Sequence, residues 1–465
     1  MDNKFQKKYG LFTAICMVIG TVIGSGIFFK AVKVFSFTGG NMGKSLLVVG
    51  SVGLVMIICA IVFATLGSKY EKVNGLVDYA EVALGPVFGY YVGWFLTLIY
   101  YPVLCSTLAW VAAQYACTLF GFETFGDIHV AIAGLFLMMG FVISGLSPKM
   151  AGKLQISTTV IKLIPLSLMA VVGTVAGLIN GMTIDAFKTT VTEVTSAGGG
   201  VFAGVTAFAF AYEGWIIATS INSELQDAKK NLPKALILGS LFCVGIYMLY
   251  FVGLSGALST SEILDAGSAL PKIAFSKLFG NVAGTLVYVF IVISCLGTMN
   301  GLIMGCCRGM FSLAARGMGP RPDVYGEVSK KSDMAANSSF IGMAFAAFWL
   351  FYWHFCFWDG QIMKTTNVPA WFNWEPDEIV IIALYAFYIP MFISVMVKEK
   401  DLKPFQRFVM PCLAILSCLF MIYCTIVSYG VQCWYFLIFL AVVMLVGAVY
   451  RIPPKEKTPI VHKKK

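Results

Sequence analysis

Twelve stretches of about 20 or more mostly apolar residues follow one another along the chain, each long enough to cross a hydrocarbon core roughly 30 Å thick as a helix. They fall at 11–32, 43–67, 84–118, 127–147, 153–179, 200–224, 233–257, 279–315, 337–357, 378–397, 409–429 and 431–450. A backbone inside lipid must satisfy its own amides and carbonyls, which restricts spanning elements to helices and closed barrels; runs of this length select helices. With 59% hydrophobic and 12% charged residues, a soluble domain is excluded. The expected fold class is an all-α polytopic membrane protein with 12 transmembrane helices.

The net charge of +10 tracks topology and does not point to a nucleic-acid partner. With the amino terminus inside, 24 Lys and Arg occupy the tails and the loops after even-numbered runs, from Lys4, Lys7 and Lys8 through Lys229, Lys230 and Lys234 to Lys463–Lys465. Seven occupy the opposite loops, and Lys162 and Arg308 complete the 33. Such a bias places both termini in the cytoplasm of a cell (cytoplasmic) membrane protein. The first run is longer than a signal-peptide core and no small-residue cleavage site follows it, so it is read as retained. Most of the thirteen cysteines, including Cys16, Cys59, Cys295, Cys306 and Cys307, fall inside apolar runs without metal-type spacing. They read as small buried hydrophobes, and neither a metal nor a cofactor is expected.

Two runs are interrupted at matching depth. Thr21–Phe29 carries Gly24-Ser25-Gly26, which suits either a broken helix whose freed backbone faces a cavity, or a small-residue face against a neighbouring helix. After a break, Ile27–Val32 would form a short half-helix. The sixth run opens after Gly198-Gly199-Gly200 and reaches Phe210-Ala211-Tyr212-Glu213-Gly214-Trp215 about twelve residues in, followed by a polar string from Thr219 to Glu224. Two such breaks in two halves of a transporter-sized chain point to a midplane site between inverted repeats. The expected organisation is an N-terminal tail 1–10, a first five-helix repeat 11–179, a second, inverted one 200–397, helices 11 and 12 over 409–450, and a basic tail 451–465.

Lys162 lies about ten residues, or roughly 14 Å, into the fifth run. A charge at that depth is costly and faces the bundle interior, with snorkelling to the inner interface as the alternative. Arg308, near the end of the eighth run, reads as an interfacial anchor. Pro102 implies a kink in the third run. Lys69–Leu84 reads as a cytoplasmic re-entry or amphipathic connection. In the 354–378 loop, Trp358, Trp371 and Trp374 read as interface anchors. The histidines, His129, His354 and His462, all fall in loops or tails on this reading. No nucleophile–base–orienter set, metal cluster or phosphate loop emerges, so the chain is not read as an enzyme.

These residues resemble a known family, the amino acid-polyamine-organocation superfamily, and within it the L-type amino acid transporter group and its bacterial exchangers. The pieces that carry the resemblance are Ile23–Phe28, Ala211–Trp215, Glu224–Lys234, Met299-Asn300-Gly301, and Arg308 with Ala315-Arg316-Gly317 before Pro320. The resemblance implies a 5+5 inverted repeat (LeuT-like) with discontinuous helices 1 and 6, and a sodium-independent exchanger of small neutral L-amino acids. A carrier of cationic amino acids, and a channel or sensor on the same scaffold, are the alternatives. By similarity, substrate binding falls to Ile23, Gly24, Ser25, Gly26, Ile27, Phe210, Ala211, Tyr212 and Glu213. In that scheme the amides of Gly24, Ser25 and Gly26 receive the carboxylate, and the carbonyls of Ile23 and Phe210 the ammonium group. Phe210 matches an aromatic gate and Lys162 a coupling lysine. Glu213 departs from the family pattern; it can face a substrate side chain, pair with a protein donor or take up a proton. The implied partners are an amino acid substrate and the lipid bilayer. No nucleic acid is expected, nor a disulfide-linked heavy chain, because the loop between helices 3 and 4 lacks a cysteine.

Overall fold

The computed structural model describes residues 9–70, 75–146, 148–189, 200–329, 334–357, 369 and 371–451. The extreme tails, Gly198, Gly199, and Trp358 with most of its loop lie outside the described residues. The spans are α1a (Leu11–Val22) and α1b (Gly26–Phe37), α2 (Met42–Lys69), α3 (Pro86–Phe120), α4 (Asp127–Gly145) and α5 (Lys153–Ile179). The second half comprises α6 (Val201–Thr219), which opens as α6a (Val201–Ala209), then α7 (Ala228–Ala257), α8 (Asn281–Ala314), α9 (Ala336–Cys356) and α10 (Pro376–Lys398), followed by α11 (Phe405–Tyr429) and α12 (Val431–Val449). Among the described residues eleven helices are long and apolar enough to cross a membrane, and the α1a–α1b pair, bent by 46°, makes a twelfth span. The end of the molecule at which α1a starts is called the lower end.

The two halves meet element by element. α1a packs against the lower part of α6 and α1b against α6a, while α2 lies along α7 and α3 along α8. Each of the first three spans thus touches its counterpart five spans later, as a pseudo-two-fold axis in the membrane plane requires. Large apolar side chains such as Leu47, Leu135, Leu238, Leu416 and Leu445 stay exposed on the outer surface, where lipid is their solvent.

Several boundaries differ from expectation for identifiable reasons. α1b continues to Phe37, past Val32, because Lys30 and Lys33, whose charges interrupt the apolar run, are ion-paired within the protein. Lys229 and Lys230 lie in the first turn of α7, since a helix can extend beyond the lipid. The bend expected from Pro102 appears as a π-helical turn at Leu96–Tyr100, the widened turn that absorbs a disturbed backbone ladder. His129 is not in a loop: it is buried in the first turn of α4, 2.7 Å from the Trp110 carbonyl. His354 likewise lies in the last turn of α9. Of the loop tryptophans, Trp371 is exposed, but Trp374 is buried against Trp349, Tyr352 and Phe436. The 69–84 segment supplies a short helix, Leu76–Leu84, whose Asp78 and Tyr79 are buried.

Candidate functional site

α1a makes its last helical bond from Ile23 N to Ile19 O, 2.8 Å. α1b restarts at Gly26 with Ser25 at its N-cap and no side-chain cap. The first amides of α1b therefore lack intrahelical acceptors and carry the positive end of its dipole. α6a passes through one 3₁₀ turn at Phe210–Tyr212, an extended Glu213, and Gly214 at φ +97° before resuming as a 3₁₀ helix over Trp215–Glu224. That φ is one glycine adopts freely. A Cβ at Gly214 would also lie 2.8 Å from Thr21 O.

The two breaks touch each other. A Cβ at Gly26 would stand 2.7 Å from the Ala211 Cα, backbone that has no rotamer to yield. Gly26→Ala is therefore expected to lower uptake into proteoliposomes by about tenfold or more, since overpacking of this kind costs roughly 1–3 kcal/mol and here falls on the breaks themselves. Uptake at the wild-type rate would contradict it.

Four side chains hold the breaks in place. The Tyr247 hydroxyl of α7 lies within hydrogen-bond reach of both Val22 O (3.1 Å) and Ala211 O (3.0 Å), one carbonyl from each break. The Lys162 ammonium of α5 is 1% exposed and donates to Gly20 O and, at 3.1 Å, to Thr298 Oγ1 of α8. Thr298 Oγ1 lies 3.2 Å from Ile23 O. Lys162 thus faces the interior at the carbonyl end of α1a. The Tyr100 hydroxyl of α3 donates to Glu213 Oε2 at 2.5 Å. Tyr247, Thr298 and Tyr100 do not stand out in the sequence; the tyrosines look like core aromatics, and Thr298 precedes a motif without belonging to it.

Between the breaks is a cavity of ≈10 Å³ lined by Thr21, Gly24, Ser25, Gly26, Phe210, Ala211, Glu213 and Gly214, with Leu104 and Leu108 of α3 and Thr298 and Leu302 of α8. The buried Ser25 hydroxyl has no hydrogen-bond partner among the described residues. Ile23, Ile27 and Tyr212 do not border the cavity in this closed form, and the Ile23 carbonyl lies 3.2 Å from Thr298 Oγ1. In a 3₁₀ turn successive side chains point about 120° apart, so Tyr212 turns away onto Phe208 and Tyr247. Such a volume holds about one water. An amino acid needs the half-helices to part.

Both ends are closed. Above, Phe210 meets Phe29 at 5.7 Å, and the Lys30 ammonium sits over both rings. Lys30 is buried and pairs with Glu378 (2.5 Å), Asp377 (2.8 Å) and Glu375 (3.3 Å) at the start of α10. Lys33 pairs with Glu375 and Glu378, and the Tyr429 hydroxyl donates to Glu378. The three carboxylates lie close enough together to hold a metal, but the two lysine ammoniums already sit among them and offset two of the three charges. Below, Arg316 joins α8 to the 76–84 helix through Asp78 and, at 3.0 Å, Glu81. Lys69 joins α2 to Glu399 and Asp401 beyond α10.

Two discontinuous spans meeting at mid-depth, each presenting a helix end to one closable cavity, define a secondary transporter with alternating access. A family model described as amino acid permease matches residues 9–449, and the chain belongs to that family. It is 29% identical over 442 residues to the serine/threonine exchanger SteT of Bacillus subtilis (strain 168), covering 93% of this chain and 94% of the relative. It is 27% identical to the b(0,+)-type amino acid transporter 1 of Oryctolagus cuniculus, over 64% of this chain and 61% of that one. Among solved structures, MhsT in complex with L-phenylalanine superposes with a TM-score of 0.59 at 13% identity, covering 95% of this chain and 99% of the other. That likeness assigns the LeuT-like fold.

Proposed function

We propose that the protein exchanges small neutral L-amino acids across the cytoplasmic membrane without sodium, with both termini inside and the repeats at 11–179 and 200–397. The observation that carries this reading is the pairing of Glu213 with Tyr100. Among the described residues Glu213 is the one ionisable side chain lining the cavity, and its hydrogen-bond capacity is partly taken by the protein. The rest of the lining is glycine, alanine, small hydroxyls and apolar side chains, which fits a short uncharged substrate. In the closed-on-substrate state, the α1b amides receive the carboxylate, the carbonyls of Ile23 and Phe210 receive the ammonium group, and Phe210 covers the upper side. The 29% identity to a serine/threonine exchanger supports the same substrate class.

The test is competition between labelled serine and labelled arginine for uptake into amino-acid-loaded proteoliposomes, for wild type and Glu213→Gln. Serine is expected to be the better substrate in both proteins. The mutant should change serine uptake by less than about tenfold, since a hydrogen bond between Tyr100 and a neutral amide contributes about 1 kcal/mol less than one to a carboxylate. Preferred arginine uptake that is lost selectively in Glu213→Gln would instead make Glu213 a recognition residue for cationic substrates.

A further inference from the structure

Below the central cavity lies a second one, of ≈50 Å³, built on the same two helices. The central cavity uses Leu104 and Leu108 of α3 with Thr298 and Leu302 of α8. The lower one uses Gly93, Leu96, Thr97 and Tyr101 of α3 with Met304, Gly305, Arg308, Gly309 and Ser312 of α8. At 1.5 Å per residue their centres are about 12 Å apart along the α3–α8 seam. Ile217, just past the Gly214 break, and Val77 of the 76–84 helix complete the lower lining. The cavity thus borders the element that must move for the central site to open downward.

Gly305, Arg308, Gly309 and Ser312 fall three and four residues apart and so share one face of α8. Glycine is needed on that face: a Cβ at Gly309 would meet the Thr97 side chain at 2.6 Å, and one at Gly305 the Tyr101 ring at 3.1 Å. Arg308 projects from between them, half-buried, and among the described residues its guanidinium has neither a hydrogen bond nor an ion pair. The neighbouring carboxylates are engaged elsewhere, Asp78 and Glu81 with Arg316. Ser312 Oγ accepts from Arg316 Nη1, which leaves its own proton free to donate. A guanidinium facing a cavity with a hydroxyl donor, and without a counter-charge among the described residues, is a receptor for a carboxylate, which it can bind through two parallel N–H bonds. This differs from the interfacial anchor read from the sequence, because the side chain lines an internal cavity and not only the surface.

We propose that Arg308 is an inner docking station for the α-carboxylate of the transported amino acid, occupied between the central site and the cytoplasm. The inference rests on the exchange reading and on the inside placement of the lower end. On that path the substrate leaves the α1b amides for Arg308 when the lower side opens, and an incoming counter-substrate meets Arg308 first. A fixed cation beside a narrow entrance also raises the local concentration of a carboxylate-bearing substrate.

The test is serine exchange in uniformly oriented proteoliposomes, with half-saturation measured separately for internal and external serine in wild type, Arg308→Gln and Arg308→Lys. Thermal melting and gel filtration of each variant confirm folding. For Arg308→Gln, internal half-saturation is expected to rise about tenfold or more while the external value stays within about twofold, as for loss of one charge-assisted pair. Arg308→Lys should recover part of the loss, since a point charge attracts the carboxylate without matching its fork. The proposal is overturned if neither value moves, if both move equally, or if the internal effect vanishes in vesicles without anionic lipid, which would make phosphate headgroups the ligand. Absence of exchange by the wild type would instead overturn the functional reading on which the proposal rests.

Discussion

Alanine at position 162 is expected to cut exchange by about ten- to a hundredfold while leaving a folded carrier, the loss associated with one or two charge-assisted hydrogen bonds. The lysine places a buried ammonium at the carbonyl end of α1a, where the helix dipole is negative, and reaches both Gly20 O and Thr298 Oγ1. Through Thr298 it also reaches Ile23 O. The ammonium therefore does at the break what a bound metal cation would do: it neutralises freed carbonyls and ties α1a to α5 and α8. Without it, α1a keeps its sequence and its helix but loses its tether on the side where the break must open and reclose. Replacing sodium by choline should leave wild-type uptake unchanged, since the positive charge is built in. Uptake by Lys162→Ala at the wild-type rate, or a wild-type carrier that stops in choline, would sink this account. Melting temperature and elution volume separate it from simple misfolding.

Lys30→Met should be the other severe lesion, with turnover down at least about tenfold and the melting temperature lowered, because breaking a buried ion pair by removing one partner costs roughly 3–5 kcal/mol. Lys30 is 1% exposed and bonded to three buried carboxylates, and only Lys33 would remain to face them. The cluster starts with two ammoniums against three carboxylates, a net charge of −1, and the variant takes it to −2. The upper closure between α1b and α10 would then be opposed by like charges in a poorly solvated place, so the carrier stays open above: it binds labelled serine from that side but turns over slowly. Adding Asp377→Asn returns the count to −1, and this double variant should recover part of the turnover. If the double variant is worse than Lys30→Met by the full cost of a second independent lesion, the charges do not act as one closure.

What could be read before folding follows from spacing and depth. The apolar runs set the number of spans, glycines at equal depth in runs one and six marked the breaks, and a lone lysine within the fifth run was too costly to be incidental. These are local signals, set by solvation of the backbone and of single charges in lipid. The misreadings arose where burial depends on distant partners. Lys33 looked like the end of a helix because its partners Glu375 and Glu378 lie 342 and 345 residues away. The burial of Glu375, Asp377 and Glu378 left no mark in the sequence for the same reason, and the direction of Tyr212 is set by a 3₁₀ turn, not an α turn.

The amino-acid order alone therefore determined the membrane class and the two interrupted spans, since each of these follows from how a short stretch behaves in hydrocarbon. The tertiary structure decided which groups tie the breaks together. Tyr247 joins one carbonyl of each break, Tyr100 engages Glu213, and Lys162 and Thr298 share the end of α1a. It also decided that the upper end is latched by five charges and that Arg308 faces a cavity. The physical reason is that hydrogen bonds and ion pairs act over about 3 Å, and only the packing of α3, α5, α7, α8 and α10 around the broken helices brings residues hundreds of positions apart to within that distance.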